Sequence, residues 1–275
     1  MNRHNTTRPP AVAGAFYPSE PALLVNMVNG FISAQENSSG KAIATNPIGY
    51  KKIKALIVPH AGFIYSGAIA ASAYSLLAPL RKSIRRVVML GPSHHVAFKG
   101  IAASSCQYFQ TPLGDIKLDH KSIKALEEYC QFIYLDKAHV NEHCLEVQLP
   151  FLQSQLDDFL LIPLVVGHTS AAEVEEVINY FSKLPHTLII ISTDLSHFHP
   201  YEQAQVIDTA TNQKILNLET SLVGDQACGC YPLNGLLRWA KQVGLKIDNL
   251  ALKNSGDSAG AQDSVVGYAS YVLYE

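Results

Sequence analysis

Ile53-Lys54-Ala55-Leu56-Ile57-Val58-Pro59-His60 is the stretch that decides how this chain folds. Lys54 alone interrupts an apolar run, which stops at a proline and a histidine. Such a run suits a strand buried on both faces, as parallel strands covered by helices are. Three further runs have the same form: Arg86–Leu90 stops at Gly91-Pro92, Phe159–Val166 at Gly167-His168 and Thr187–Ser192 at Thr193-Asp194. Val265–Leu273 is a fifth strand. Helical spacing fills the intervals. In Pro21–Gln35, the residues Leu23, Leu24, Met27, Val28, Phe31 and Ile32 make one stripe. Ser19 stands at its N-cap position and Pro21 in its first turn. Helices are also predicted over Gly67–Leu80, Lys121–Tyr129, Glu142–Leu156, Ala171–Leu184, Glu202–Leu218 and Pro232–Val243. Asn37–Lys52, rich in Ser, Gly, Lys and Asn, reads as a loop. Strands alternating with helices predict an α/β fold. The expectation is a single domain over residues 1–275, with a central, mostly parallel sheet flanked by helices.

The balance of 21 basic against 23 acidic residues gives a net charge of −2, and 48% of the 275 residues are hydrophobic. A chain this apolar is not disordered. It is not basic enough to hold nucleic acid mainly through phosphates. Met1 to Pro10 has no apolar signal core, and the apolar stretches read as too short to span a bilayer. A cytoplasmic protein with neither nucleic-acid nor membrane partners is expected. Five cysteines make a poor disulfide framework, so reduced thiols are the default. The 11 histidines raise the question of metal or proton chemistry.

Three of the predicted strands deliver polar, metal-capable residues at their C-terminal ends: His60, His94-His95 and Asp194. In open α/β sheets, ligands bind at that edge. Gly62-x4-Gly67 is spaced like a phosphate loop, but Ala68-Ile69 stand where Lys-Ser/Thr would grip phosphate. Ser93 beside His94 lacks the Gly-x-Ser-x-Gly elbow of a serine hydrolase. Adjacent residues on an extended segment point apart, so one of His94 and His95 can face a site while the other turns away. Glu142 and Glu146 share a face of the predicted helix, and His143 at its start suits a neutral, hydrogen-bonding role. Asp194 is close enough to His197 to orient it as a general base. Cys228, just before a helix, has its thiolate favoured by the helix dipole, and Cys230 is the competing candidate. Cys106, Cys130 and Cys144 read as core. His4, His120, His139, His168, His186 and His199 have no comparable place, and several read as surface residues.

Taken together, these motifs resemble the Memo family, whose bacterial and archaeal members are called AmmeMemoRadiSam system protein B. The resemblance runs from Ala13-Gly14-Ala15-Phe16-Tyr17 through Pro59-His60-Ala61-Gly62, Leu90-Gly91-Pro92-Ser93-His94-His95 and Thr111-Pro112-Leu113-Gly114-Asp115. It continues through Glu142-His143, Leu149-Pro150, Ser192-Thr193-Asp194, His197 and Cys228-Gly229 to Gly267-Tyr268-Ala269. It implies a fold similar to class III (LigB-type) extradiol dioxygenases, which hold non-haem iron with two His and a carboxylate. For Memo proteins it implies two His and one Cys as metal ligands, here His60, His94 and Cys228. Around them His197, Asp194, His143, Glu142 and His95 are expected to form the catalytic shell. The implied function is an iron- or copper-dependent redox protein acting on a small molecule. The alternatives are a metal- or peptide-binding scaffold accessory to a radical-SAM system, and a zinc hydrolase.

Overall fold

The computed structural model describes residues 7–38 and 52–275. Most of the predicted loop Asn37–Lys52 lies outside the described residues, as does His4; Asn37 and Ser38 continue the first helix. The strands are β1 (Thr7–Arg8), β2 (Ile53–Val58), β3 (Arg86–Pro92), β4 (Ile101–Ala103), β5 (Tyr108–Thr111), β6 (Gly114–Lys117), β7 (Ile133–Tyr134), β8 (Leu160–Val166), β9 (Thr187–Ser192), β10 (His197–His199), β11 (Lys246–Asn254) and β12 (Val265–Tyr274). The helices are α1 (Pro21–Ser38), α2 (Phe63–Tyr74), α3 (His120–Leu126), α4 (Asp136–Val140), α5 (Leu149–Gln155), α6 (Ala171–Ser182), α7 (Tyr201–Leu216) and α8 (Cys230–Val243).

One large sheet runs in the order β10-β12-β2-β9-β3-β8-β4-β7, and β11 also pairs with β12. Its centre, β2-β9-β3-β8, is parallel. Its flanks are not: β12 joins β2, and β4 joins β8, in antiparallel sense. The expected α/β sheet is thus mixed: the four apolar runs form its parallel centre, and the edge strand β7 is parallel again, to β4. Those runs explain it. Val87 and Met89 of β3 enter one core with Leu24 and Val28 of α1 and Phe151 of α5. Val88 and Leu90 enter the opposite core with Val174 and Phe181 of α6 and Leu236 of α8. Each such side chain contributes about 1.5–3 kcal/mol when buried, so a strand without a solvent face requires both helical layers.

Element boundaries moved where local chemistry overrides periodicity. Glu20, not Ser19, caps α1: its carboxylate accepts the N–H groups of Ala22 (3.0 Å) and Leu23 (2.7 Å). Leu23 is exposed; of the other stripe residues Leu24, Val28 and Ile32 are buried, and Met27 and Phe31 are half-buried against the same core. α2 begins four residues before the predicted Gly67, and the stretch Ser75–Leu80 is a 3-10 helix. Phe63–Leu80 forms an apolar run of 18 residues, long enough by length and composition to cross a membrane, which the sequence reading did not expect. Ala70, Ala71, Tyr74 and Leu77 of this run are buried in the first core. The predicted helix Glu142–Leu156 is divided. Glu142 and His143 lie in irregular backbone just before a turn at Cys144-Leu145, Glu146–Gln148 is a 3-10 turn, and α5 starts only at Leu149 with Pro150 in its first turn. The parallel centre carries the ends of β2, β3 and β9 to one edge of the sheet.

Candidate functional site

His60 follows β2 directly and is buried. Its backbone N–H donates to Asp194 Oδ1 (2.7 Å), at the end of the neighbouring β9. Its Nδ1 lies 3.0 Å from Ser192 Oγ. The one hydroxyl proton of Ser192 goes to the carbonyl of Cys144 (2.6 Å), and the same oxygen accepts Gln148 Nε2–H (3.0 Å). His60 must therefore donate from Nδ1, which leaves Nε2 as the lone pair. His94, after β3, is fixed the same way. Its Nδ1 sits 2.8 Å from Glu142 Oε1, and its backbone N–H donates to Oε2 at 2.7 Å. Glu142 also accepts the N–H groups of His143 and Cys144, each at 3.0 Å. Burial works to raise this carboxyl, but the His94 hydrogen bond and charge outweigh it and hold it down to about 2. His94 thus also presents Nε2.

The three rings of His60, His94 and His143 meet. Centroids lie 5.1 Å apart for His60–His94, 5.4 Å for His60–His143 and 4.8 Å for the stacked His94–His143 pair. One ring nitrogen from each falls within 4.8 Å of the other two. Burial first, then the neighbouring His94, lowers His60 to about 3; burial first, then His60, lowers His143 to about 4. Both rings are neutral near pH 7, the form in which imidazole binds a metal.

Cys228 approaches His60 from the loop before α8. Its Sγ is 3.3 Å from His60 Nε2 and accepts the Asp194 N–H at 3.3 Å. The Cys228 N–H returns to the Asp194 carbonyl (3.3 Å). Gly229 lets this loop pass so close: a Cβ there would stand 2.8 Å from Thr193 Cβ. Cys230 is instead buried in the second core, so Cys228 is the thiol brought to His60. The expected thiolate preference is reversed. Burial, then Asp194, pushes the thiol up to about 12, against the helping N–H groups of Asp194 and Gly229. A bound metal ion would supply the charge that releases this proton.

Other expectations change. Asp194 does not orient His197. Its carboxyl serves His60 and is raised by burial, while His197 Nδ1 donates to the Leu195 carbonyl at 2.8 Å. Glu146 does not share a face with Glu142; it is paired with Arg8 at 2.7 Å and takes no part in the cluster. His95 is exposed, with its ring 6.2 Å from that of His143. His139 is buried, not a surface residue, and reaches the Ala102 carbonyl through Nε2 (3.1 Å). Cys144 is core as expected, while Cys106 and Cys130 are half-buried. Ser192 and Gln148 were missed. Ser192 closes an apolar run within a quoted motif and reads equally as a strand terminus, while Gln148 lies inside the predicted helix Glu142–Leu156 and reads as part of its polar face. Phe198, beside His197, adopts a left-handed φ of +62° with its ring exposed. That conformation costs a bulky residue roughly 1–2 kcal/mol and is of the kind found at functional sites.

A cavity of about 320 Å³ lies on the far side of His143, with walls that include His143, Asp194, His197, Phe16, Tyr65 and Tyr268; His60, His94 and Cys228 are not among its lining residues. Two oriented imidazoles, a third beside them and a thiol are a donor set for a transition metal. A family model described as Memo-like protein matches residues 8–272. A MEMO1 family protein of Methanocaldococcus jannaschii is 34% identical over 98% of this chain and 99% of its own length. One from Saccharolobus islandicus is 35% identical over 95% and 97%, and one from Pyrobaculum arsenaticum 30% identical over 97% and 99%. Because these matches span almost every described element, the flanking strands as well as the histidine-bearing edge, the chain belongs to the Memo family.

Proposed function

We propose that this chain is a metal-dependent redox enzyme that binds iron or copper through His60, His94 and Cys228 and acts on a small molecule in the adjoining cavity. One observation carries the proposal. His60 and His94 each spend Nδ1 on a built acceptor, Ser192 and Glu142, so that both Nε2 lone pairs are left for a common ligand. Acceptors behind a histidine that fix its tautomer are the usual support of a metal site. When bound, such an ion would supply electron transfer and Lewis acidity at a position open to a small ligand. The chain's own residues do the rest. Asp194 holds the backbone at His60, and Glu142 holds His94 and the backbone N–H of His143. His197, with Nδ1–H given to Leu195, keeps Nε2 to accept a proton from the substrate. A thiolate in place of the dioxygenase carboxylate makes the donor set softer.

Oxygen uptake tests this. Iron- or copper-loaded protein given catechol should consume oxygen, and His197→Ala should slow uptake at least 100-fold while retaining its metal. Loaded protein that consumes no oxygen with catechol or other small ring substrates contradicts the redox role. A second reading, zinc hydrolysis, is favoured by the third imidazole, because His143 makes the cluster resemble a three-histidine water-activating site. Zinc as the metal bound in cells would decide for it.

A further inference from the structure

Among the described residues, only one Arg or Lys is buried together with its carboxylate partner, and it lies in the N-terminal segment. Arg8 Nη1 meets Glu146 at 2.7 Å, with both side chains shut off from solvent. A buried pair of this kind adds little stability over apolar packing of the same volume. What it can supply is register, because a guanidinium is a planar fork whose donors point in fixed directions. Arg8 uses three of those directions on three places in the chain. Besides Glu146, Nε donates to the His139 carbonyl and Nη2 to the Glu142 carbonyl, each at 2.6 Å. Glu146 closes the clasp from the other side. Its carboxylate also accepts the N–H groups of Ala11 (2.7 Å) and Val12 (3.0 Å) and the Tyr17 hydroxyl (2.6 Å). Residues 8–17 are thus tied down at both ends.

The clasp reaches the histidine cluster through Glu142. The carbonyl of this residue takes Arg8, while its carboxylate takes the Nδ1–H and the backbone N–H of His94. Glu142 belongs to no helix or strand, so no ladder of backbone hydrogen bonds sets its place. Its own N–H reaches the His139 carbonyl at 3.2 Å, the same oxygen that accepts Arg8 Nε. Arg8 therefore spans both ends of the stretch from His139 to Glu142, and the direction of the His94 ring is only as fixed as that stretch. The segment touches the cluster a second time. The Phe16 ring lies 4.8 Å from that of His143, and the Phe16 carbonyl accepts the Phe63 N–H (2.8 Å) at the start of α2. A lysine in place of Arg8 would keep the charge for Glu146, but its single ammonium cannot serve three acceptors that lie in separate directions.

We propose that Arg8 is a positioning residue of the metal site: clasped by Glu146, it holds Glu142 where its carboxylate orients His94, so that closure of the N-terminal segment and metal binding favour one another. This rests on the proposed metal site but not on the identity of the metal. The test compares the full-length wild-type chain with Arg8→Lys, without metal and with cobalt(II) as the probe. Without metal, the His94 Nδ1 proton, followed by NMR, should exchange with water about tenfold faster in the variant. With cobalt, affinity measured against a chelator should fall about tenfold, and the absorption spectrum of the bound ion should change as His94 moves. The linkage is reciprocal, so cobalt should slow hydrogen exchange at the Ala11 and Val12 amides of the wild-type chain. Val177→Ala, which opens a cavity in the core on the other face of the sheet, lowers stability but should leave the His94 proton, the affinity and the spectrum as they are. Arg8→Lys with wild-type affinity and spectrum overturns the proposal and leaves the metal site standing. Should the variant fail to fold, Ala11 and Val12 amides that do not respond to cobalt in the wild-type chain overturn it equally. Wild-type protein that binds no cobalt, with a His94 proton that still exchanges faster in Arg8→Lys, sinks the metal reading and supports the hold of Arg8 on His94.

Discussion

Ser192 shows how much of this site rests on single atoms outside the donor set. Its hydroxyl has one proton and spends it on the Cys144 carbonyl, so its lone pairs must take Gln148 and His60. Ser192→Ala removes the acceptor that sets the His60 tautomer. Metal affinity, measured by competition with a chelator, should fall about 10–100-fold. The buried Gln148 N–H left behind should cost about 1–3 kcal/mol of stability. Unchanged affinity would mean that His60 is oriented by packing alone. The sequence exposes the histidines but not this accounting. His60 and Asp194 are legible because polar residues after apolar runs are conspicuous. Which atom of Asp194 meets which neighbour depends on the register of β2 against β9, which pairs Val58 with Ser192 and is not written in either strand. For the same reason Asp194 and His197, near in sequence, were paired wrongly: His197 finds a closer acceptor in its own turn.

At the scale of elements, the four central strands and most helices were readable because burial on both faces leaves an apolar run and burial on one leaves a stripe. The short flanking strands and the longer β11 were not. β11 carries Lys246, Asp248, Asn249 and Lys253 among its apolar residues and is half-buried through most of its length, so it has neither pattern. The N-terminal segment was legible only as a family motif, since its anchoring depends on a glutamate some 130 residues away. Glu146→Ala would leave the Arg8 guanidinium buried without its partner. Loss of one member of such a pair costs about 3–5 kcal/mol, to be read as a lower denaturant midpoint. A loss below about 1 kcal/mol would show that the segment is held by Tyr17 and its apolar contacts instead.

The whole molecule stores a pH dependence in the buried rings of His60 and His139 and the half-buried ring of His143. His60 is held at about 3 by burial, then by His94; His143 at about 4 by burial, then by His60; and His139 at about 4 chiefly by burial. In the unfolded chain each takes a proton near 6.5. Below that pH the unfolded state binds more protons than the folded one, so stability falls as pH falls. The stabilisation from these rings is complete above about pH 6.5 and is lost progressively toward pH 3–4. Glu142, held down to about 2, adds a further loss below about pH 4.5. Denaturant titrations at pH 7.5 and pH 5 should differ by about 2 kcal/mol for each buried ring. Equal stability at the two values would mean that the rings gain protons without unfolding. Acid would also compete with metal for the same nitrogens, linking fold and site.

Whether His60, His94 and Cys228 hold a redox metal is decided by metal analysis of protein purified without oxygen or added metal. Wild-type protein should carry close to one iron or copper per chain, and His94→Ala under a tenth of that while still folded. Wild-type protein without metal, or His94→Ala retaining a full complement, would contradict it.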